Sequence, residues 1–333
     1  MRNRNLVGVF IIVFIDLIVL FLIVFLLQNL LKTLKIRNMR VKYPSQLKKE
    51  TYFHPENERL KYYYESMPDN TYSFQLEWLP GEITYNINSD GLNERYNYPV
   101  VKKDNIFRII TLGDSLTFGA NVNTNNNYPE KLEDYLNSNF KCNDINHFEI
   151  INLGVPGYDV EYSFEIFRRK GVKYKPDLVL WFMNYWNIDN INELKIPVYN
   201  RLIKDGVPDF DEKTSSHSAH EIASKYVFEK YSLDKILELN REKLNEFVRF
   251  YKNKLVIITF SDLPAKYAKI ISDLSHQNSN IYYFSKIKNF IEDKRLVLPD
   301  NHPSELGYDK LVIEISDYLK KDLLKECDTF NVH

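Results

Sequence analysis

Five short runs of apolar, β-favouring residues recur after position 107, and each stops at a turn-forming or polar residue. They occupy 108–112, 148–152, 178–182, 255–260 and 281–284. Runs that are apolar rather than strictly alternating have no face to give to water. Such strands belong in a parallel sheet covered by helices on both sides. Stretches with helical apolar spacing alternate with them, at 128–140, 161–170, 233–253, 264–276 and 304–321. Pro303-Ser304-Glu305 reads as the start of the last helix. In sheets of this kind sites form beyond the carboxyl ends of the strands. Ser115, Gly157, the loop 184–187 and Ser261-Asp262 fall there.

The start of the chain obeys a different rule. Residues 6–27 read LVGVFIIVFIDLIVLFLIVFLL, apolar but for Asp16. About 20 such residues span a bilayer as a helix, and neither the shorter apolar stretch nor the cleavage site of a signal peptide is evident. Residues 1–34 are therefore expected to form one N-terminal transmembrane anchor with its flanks. Asp16 at mid-membrane costs roughly 3 kcal/mol and points to a membrane partner or a second copy. Arg2 and Arg4 precede the span; Lys32, Lys35, Arg37, Arg40 and Lys42 follow it. Cation count places the following domain in the cytoplasm, but large domains translocate despite flanking charge, so an extracytoplasmic domain stays open.

Residues 35–106 are expected to form a stalk to about residue 70 and then an extension packed on the main domain. The extension carries short strands and turns in YSFQLEWLPGEITYNINSDGLNER, residues 72–95. The main domain is 107–333, interrupted by an insertion over the site at about 190–232 that is irregular at its start.

Composition removes several classes of function. Hydrophobic residues at 44% exclude wholesale disorder. A net charge of -1, with no basic stripe, argues against a general nucleic-acid binder. Cys142 and Cys327 are the only cysteines, so neither a disulfide framework nor a structural zinc site is expected. His217 and His220, at i and i+3, read as part of a solvated loop in preference to a metal site.

Four separated pieces carry chemistry: LGDSLTFG with Ser115, INLGVPGYDV with Gly154 and Gly157, LVLWFMNYWNIDN with Asn184 and Asn187, and LPDNHPSELGYDKL with Asp300 and His302. In this order they resemble the SGNH (GDSL-type) hydrolase family over roughly residues 85–319, with a lead-in similar to a branch associated with cell-surface polysaccharide or lipid ester chemistry. The resemblance implies a three-layer α/β/α fold with a flavodoxin-like five-stranded sheet. It implies Ser115 as nucleophile and His302 as base, because a serine hydroxyl attacks only once a base takes its proton. It implies an oxyanion hole from the N–H groups of Ser115 and Gly157 and one asparagine amide. Asn187 is preferred for the amide because it keeps the expected strand length; Asn184, nearer the strand end, is the alternative. The family's usual acid position, three before the histidine, is Pro299 here. Asp300, two before, takes the role, or a backbone carbonyl orients the imidazole of a dyad.

The expected activity is that of a serine esterase removing an O-acyl group, simplest an acetyl, from a carbohydrate or lipid, with no metal or organic cofactor. An O-acyltransferase using the same residues is the near alternative. A catalytically impaired scaffold that kept the fold is the distant one.

Overall fold

The computed structural model describes residues 51–76, 78–79, 81–208, 218–289, 292–325 and 327–329. The anchor run at 6–27 lies outside the described residues; among those described, no helix is long and apolar enough to cross a membrane.

The core is a five-stranded parallel sheet of β5 (Ile106–Leu112), β7 (His147–Asn152), β8 (Leu178–Phe182), β9 (Lys254–Phe260) and β10 (Ile281–Ile287), in the spatial order β10-β9-β8-β5-β7. Each strand sends successive side chains to opposite faces. Ile110, Leu112, Val179, Trp181 and Ile257 meet α3 (Val160–Ile166), α7 (Leu233–Phe250) and α8 (Ala265–Gln277) on one face. Ile109, Leu178, Leu180, Val256 and Ile258 meet α2 (Tyr128–Asn139) and α9 (Glu305–Asp322) on the other. The three layers read from the apolar runs are therefore present. The chain reverses direction across the sheet between β5 and β8, the switch point at which the carboxyl ends splay and leave a crevice.

Three expectations are corrected. The lead-in read as a stalk to about residue 70 is, from Thr51, folded against the domain. There β1 (Tyr52–Phe53) pairs with β2 (Glu65–Ser66), and β3 (Asn70–Gln75) with β4 (Glu82–Ile87). Tyrosines supply the apolar area that holds it: Tyr63 is buried against the rings of Tyr158 and Tyr162, at 5.8 and 5.3 Å between centroids. Second, the insertion is helical from its start, as α5 (Asn192–Lys204) and α6 (Ser218–Tyr231), which pack on each other. Third, Cys142 and Cys327 are joined. Their bond ties β6 (Phe140–Lys141) to β11 (Asp328–Thr329), two short strands that also pair by hydrogen bonds. Two cysteines 185 residues apart carry no spacing signal, which is why the pairing was not legible.

A charge is buried within the sheet. Arg108 of β5 is fully enclosed; its Nε donates to Glu149, its Nη atoms donate to the carbonyls of Pro99, Val100 and Tyr174, and Nη2 is ion-paired with Glu149. Removing one partner of such a pair strands the other. We expect Arg108→Met to cost about 3–5 kcal/mol in urea denaturation, and Arg108→Met with Glu149→Met together to recover most of it. Replacing both cysteines by serine reopens a 185-residue loop. Chain entropy puts that loss near 5 kcal/mol, to be read as a fall in Tm.

Candidate active site

Strand β5 ends at Leu112, and Gly113 turns the chain with φ +151°. A Cβ on Gly113 would stand 2.3 Å from Thr117 Oγ1 and 2.9 Å from the Phe182 carbonyl, so only glycine fits. Asp114 then caps a single helical turn, α1 (Ser115–Phe118), accepting from Leu116 N at 3.0 Å. Ser115 is the first residue of that turn, so its N–H has no acceptor within the helix. Its hydroxyl is held, partly exposed, at the tip of the strand.

The histidine arrives from the far end of the chain. A turn with Asn301 at φ +69° brings His302 round before α9, whose N-cap is Ser304. Leu298 N donates to the His302 carbonyl at 2.7 Å and fixes the turn. The result is a continuous line: Ser115 Oγ to His302 Nε2 is 2.8 Å, and His302 Nδ1 to Asp300 Oδ2 is 2.8 Å. Asp300 Oδ1 also accepts from the His302 N–H at 3.2 Å. An acid two residues before the histidine thus reaches its ring, and no backbone carbonyl is needed for that task. Since the carboxylate can only accept, Nδ1 carries the proton and Nε2 is the lone pair facing Ser115.

Electrostatics reinforce this polarity. Burial works to depress the His302 pKa, but the hydrogen bond and charge of Asp300, helped by Asp114, leave it above the ordinary 6.5. Burial works to raise Asp300, and the same partnership with His302, aided by the Asn121 amide, leaves it below 3.8. Asn121 was not singled out by the sequence. It donates to Asp300 Oδ2 from a left-handed backbone, φ +64°, while its own N–H donates to Tyr85 Oη at 2.7 Å. Its only signal is an asparagine two residues past the helix-ending Gly119, which reads as ordinary turn chemistry. Asn93 was also passed over, though it lies in the quoted lead-in; its amide ties off the Phe118 carbonyl at the end of α1, at 2.8 Å.

Gly157 lies across the crevice with φ +80°, and together with Ser115 and His302 it lines a cavity of about 830 Å³. Asn187, preferred from the sequence as the third donor, has its amide engaged elsewhere. Asn184 and Asn187 form a reciprocal capping box at the ends of α4 (Tyr185–Ile188). Asn187 is buried, and both hydrogens of its amide are committed, to the Tyr158 carbonyl at 2.8 Å and to Asp114 Oδ2 at 3.3 Å. Asn184 is partly exposed and spends one amide hydrogen on Asp114 Oδ2, at 2.8 Å, leaving the other to point elsewhere. His220 stands on α6, its ring 4.7 Å from that of Tyr199, and lines the cavity; it is not in a solvated loop. His217 lies outside the described residues. Among the described residues, no group of three or more His, Cys, Asp or Glu is arranged to hold a metal.

No family model and no curated protein matches the chain. Among solved structures it is similar to the psychrotrophic esterase EstA from Pseudoalteromonas sp., with 14% identity and a TM-score of 0.42 over 64% of this chain and 97% of that one. It is similar to the lipase/acylhydrolase from Enterococcus faecalis, with 15% identity and a TM-score of 0.41 over 65% and 96%. It is also similar to the acetyl xylan esterase Est2A from the rumen bacterium Butyrivibrio proteoclasticus, with 12% identity and a TM-score of 0.38 over 68% and 66%. Likeness at this level assigns neither family nor substrate. What the site can do follows from its own side chains.

Folding raises the His302 pKa, so this interaction stabilises the protein fully below pH 6.5 and ceases to do so as pH rises through the native value. By NMR titration the imidazole is expected to titrate above 6.5 in the native protein. In Asp300→Asn the value should fall, and an unchanged value would separate Asp300 from the histidine.

Proposed function

We propose that this chain is a serine ester hydrolase of SGNH type, working through an acyl-enzyme. The observation that carries the reading is the unbroken line from Ser115 Oγ through His302 to Asp300, at 2.8 Å in each step. Ser115 Oγ attacks the ester carbonyl carbon while His302 Nε2 takes its proton. The negative charge that develops on the carbonyl oxygen is held by the N–H groups of Ser115 and Gly157 and the remaining amide hydrogen of Asn184. His302 then passes its proton to the departing alcohol oxygen, and the acyl group stays on Ser115. Water attacks that acyl-enzyme with His302 again as base, which returns the serine and releases the acid. No step calls on a metal or an organic cofactor.

Charge distribution fits this cycle. The imidazolium formed at each proton transfer sits beside Asp300, which the same neighbourhood keeps ionised. An impaired scaffold has no use for a nucleophile, base and acid drawn into hydrogen-bond register, so we set that reading aside. Transfer of the acyl group to a sugar hydroxyl would use the same residues and the same intermediate. The acyl group is proposed as small, an acetyl, on a carbohydrate or lipid at the cell surface.

The protein is further proposed to be held at a membrane by residues 6–27, with its catalytic domain on the extracytoplasmic side. The Cys142–Cys327 bond supports that side, since structural disulfides persist in oxidising compartments.

Ser115→Ala is expected to lower kcat on a chromogenic acetyl ester at least about ten-thousand-fold and to abolish labelling by a fluorophosphonate. Wild-type kcat/KM should rise with pH through a value above 6.5, as His302 loses its proton. Asn184→Ala should cost about 100- to 1000-fold in kcat. Asn187→Ala should cost mainly stability, about 1–3 kcal/mol. The opposite ranking of the two asparagines would restore Asn187 to the oxyanion hole. Retained labelling in Ser115→Ala would end the serine mechanism.

A further inference from the structure

The cavity beside Ser115 is walled by segments outside the α/β core: tyrosines and other apolar side chains of residues 51–87, and the first turns of α5. Its lining contains basic side chains and no carboxylate among the described residues. Besides His302 these are His54, Lys61, Lys195 and His220.

Lys195 stands out within this set. Only 7% of it is exposed, yet among the described residues it makes no hydrogen bond and no ion pair within 4 Å, and it is not among the sealed, unpartnered polar groups. A buried ammonium in that position is costly unless something compensates it. The nearest acids do so only at a distance and are otherwise engaged. Asp159 accepts from Tyr162 N at 2.8 Å and from Asn192 N at 2.5 Å; Asp189 accepts from Tyr267 Oη at 3.1 Å. Burial also pushes Asp159 up to about 7, so near neutrality it offers less than a full charge. Burial pulls Lys195 down, with both acids pulling the other way, to about 8, so it remains mostly protonated at neutral pH.

Placement connects this cation to the reaction. The Asn192 amide donates to the Gly157 carbonyl at 2.9 Å, so the first turn of α5 is pinned to the glycine facing Ser115. Lys195 is three residues on from Asn192, one turn along the same helix. Ser115, Gly157, Asn192 and Lys195 all line the same cavity, so a ligand that fills it is shared between the serine and the lysine.

We propose that Lys195 binds an anionic group, a carboxylate or a phosphate, carried by the alcohol part of the ester, so that the preferred substrate is an acidic ester and not a neutral one. This rests on Ser115 being the nucleophile. The tyrosine-rich wall takes the uncharged remainder, and the buried ammonium gains a counter-charge in direct contact, where the free protein supplies one only at a distance.

Two measurements on the full-length protein separate the two claims. Turnover of neutral 4-nitrophenyl acetate, lost in Ser115→Ala, reports the nucleophile. Calorimetric binding of glucuronate against glucose, and of glycerol 3-phosphate against glycerol, reports the cation. We expect at least one anion to bind ten-fold or more tightly than its neutral counterpart and to inhibit ester turnover competitively, raising KM without changing kcat. The pair that shows the preference tells carboxylate from phosphate. Lys195→Met should reduce it to within two-fold, and Lys195→Arg should keep most of it. Turnover without anion preference in the wild type overturns the Lys195 assignment and leaves the esterase reading standing, and so does an undiminished preference in a folded Lys195→Met. Should Lys195→Met not fold, loss of preference in a folded Lys195→Gln supports the assignment, and its retention overturns it. Anion binding without turnover overturns the proposal, since no ester is then cleaved.

Discussion

One buried carboxylate holds the two halves of the site together. Asp114 has almost no access to water, and its oxygens accept from Leu116 N, from the Asn184 amide and from the Asn187 amide. The first contact fixes the helical turn that presents Ser115; the others fix the end of β8. The two strands, β5 and β8, pair directly up to Leu112 and Trp181, and beyond that pairing, at the switch point of the sheet, the carboxylate ties together the segments that leave it. Burial raises the Asp114 pKa, and the donors around it work against that rise. Ser115 and Asn184, the proposed nucleophile and oxyanion donor, are therefore positioned by a group with no proposed chemistry of its own.

The fold was legible because apolar runs on both strand faces admit few architectures, and the five read from the chain match the five in the sheet to within a few residues at each end. Ser115, Asp300 and His302 were singled out because their motifs, in that order, resemble those of SGNH hydrolases, and the structure draws the three side chains into one hydrogen-bonded line. The separate roles of Asn184 and Asn187 were not legible. Their spacing is right for either role, and which amide points at the crevice depends on a capping box whose partners, Asp114 and Tyr158, come from other segments. Asn121 escaped for a similar reason: its partner is 179 residues away. The cavity wall was legible only in outline, as an extension packed on the domain and an insertion over the site; that the lead-in from Thr51 also folds back, and that the insertion is helical, was not.

That wall divides the labour in the molecule. The sheet and its two helical layers set the Ser115–His302–Asp300 line, and the described parts of the additions, the lead-in strands with α5 and α6, wall the space beside it. Changes in the additions alter the lining of the cavity while leaving the elements that carry Ser115, His302 and Asp300 in place, a route by which one fold can host different ligands.

The separation of the two reacting partners also has a consequence in time. Ser115 and His302 stand 187 residues apart, one near the start of the domain and one just before its last helix. At about 5–20 residues per second of synthesis, the serine waits on the order of ten to forty seconds for its base to be made. Throughout that interval the nascent chain holds an unactivated hydroxyl, inert toward any acyl ester in its surroundings. The activity proposed for this pair can therefore begin only after His302 has been made.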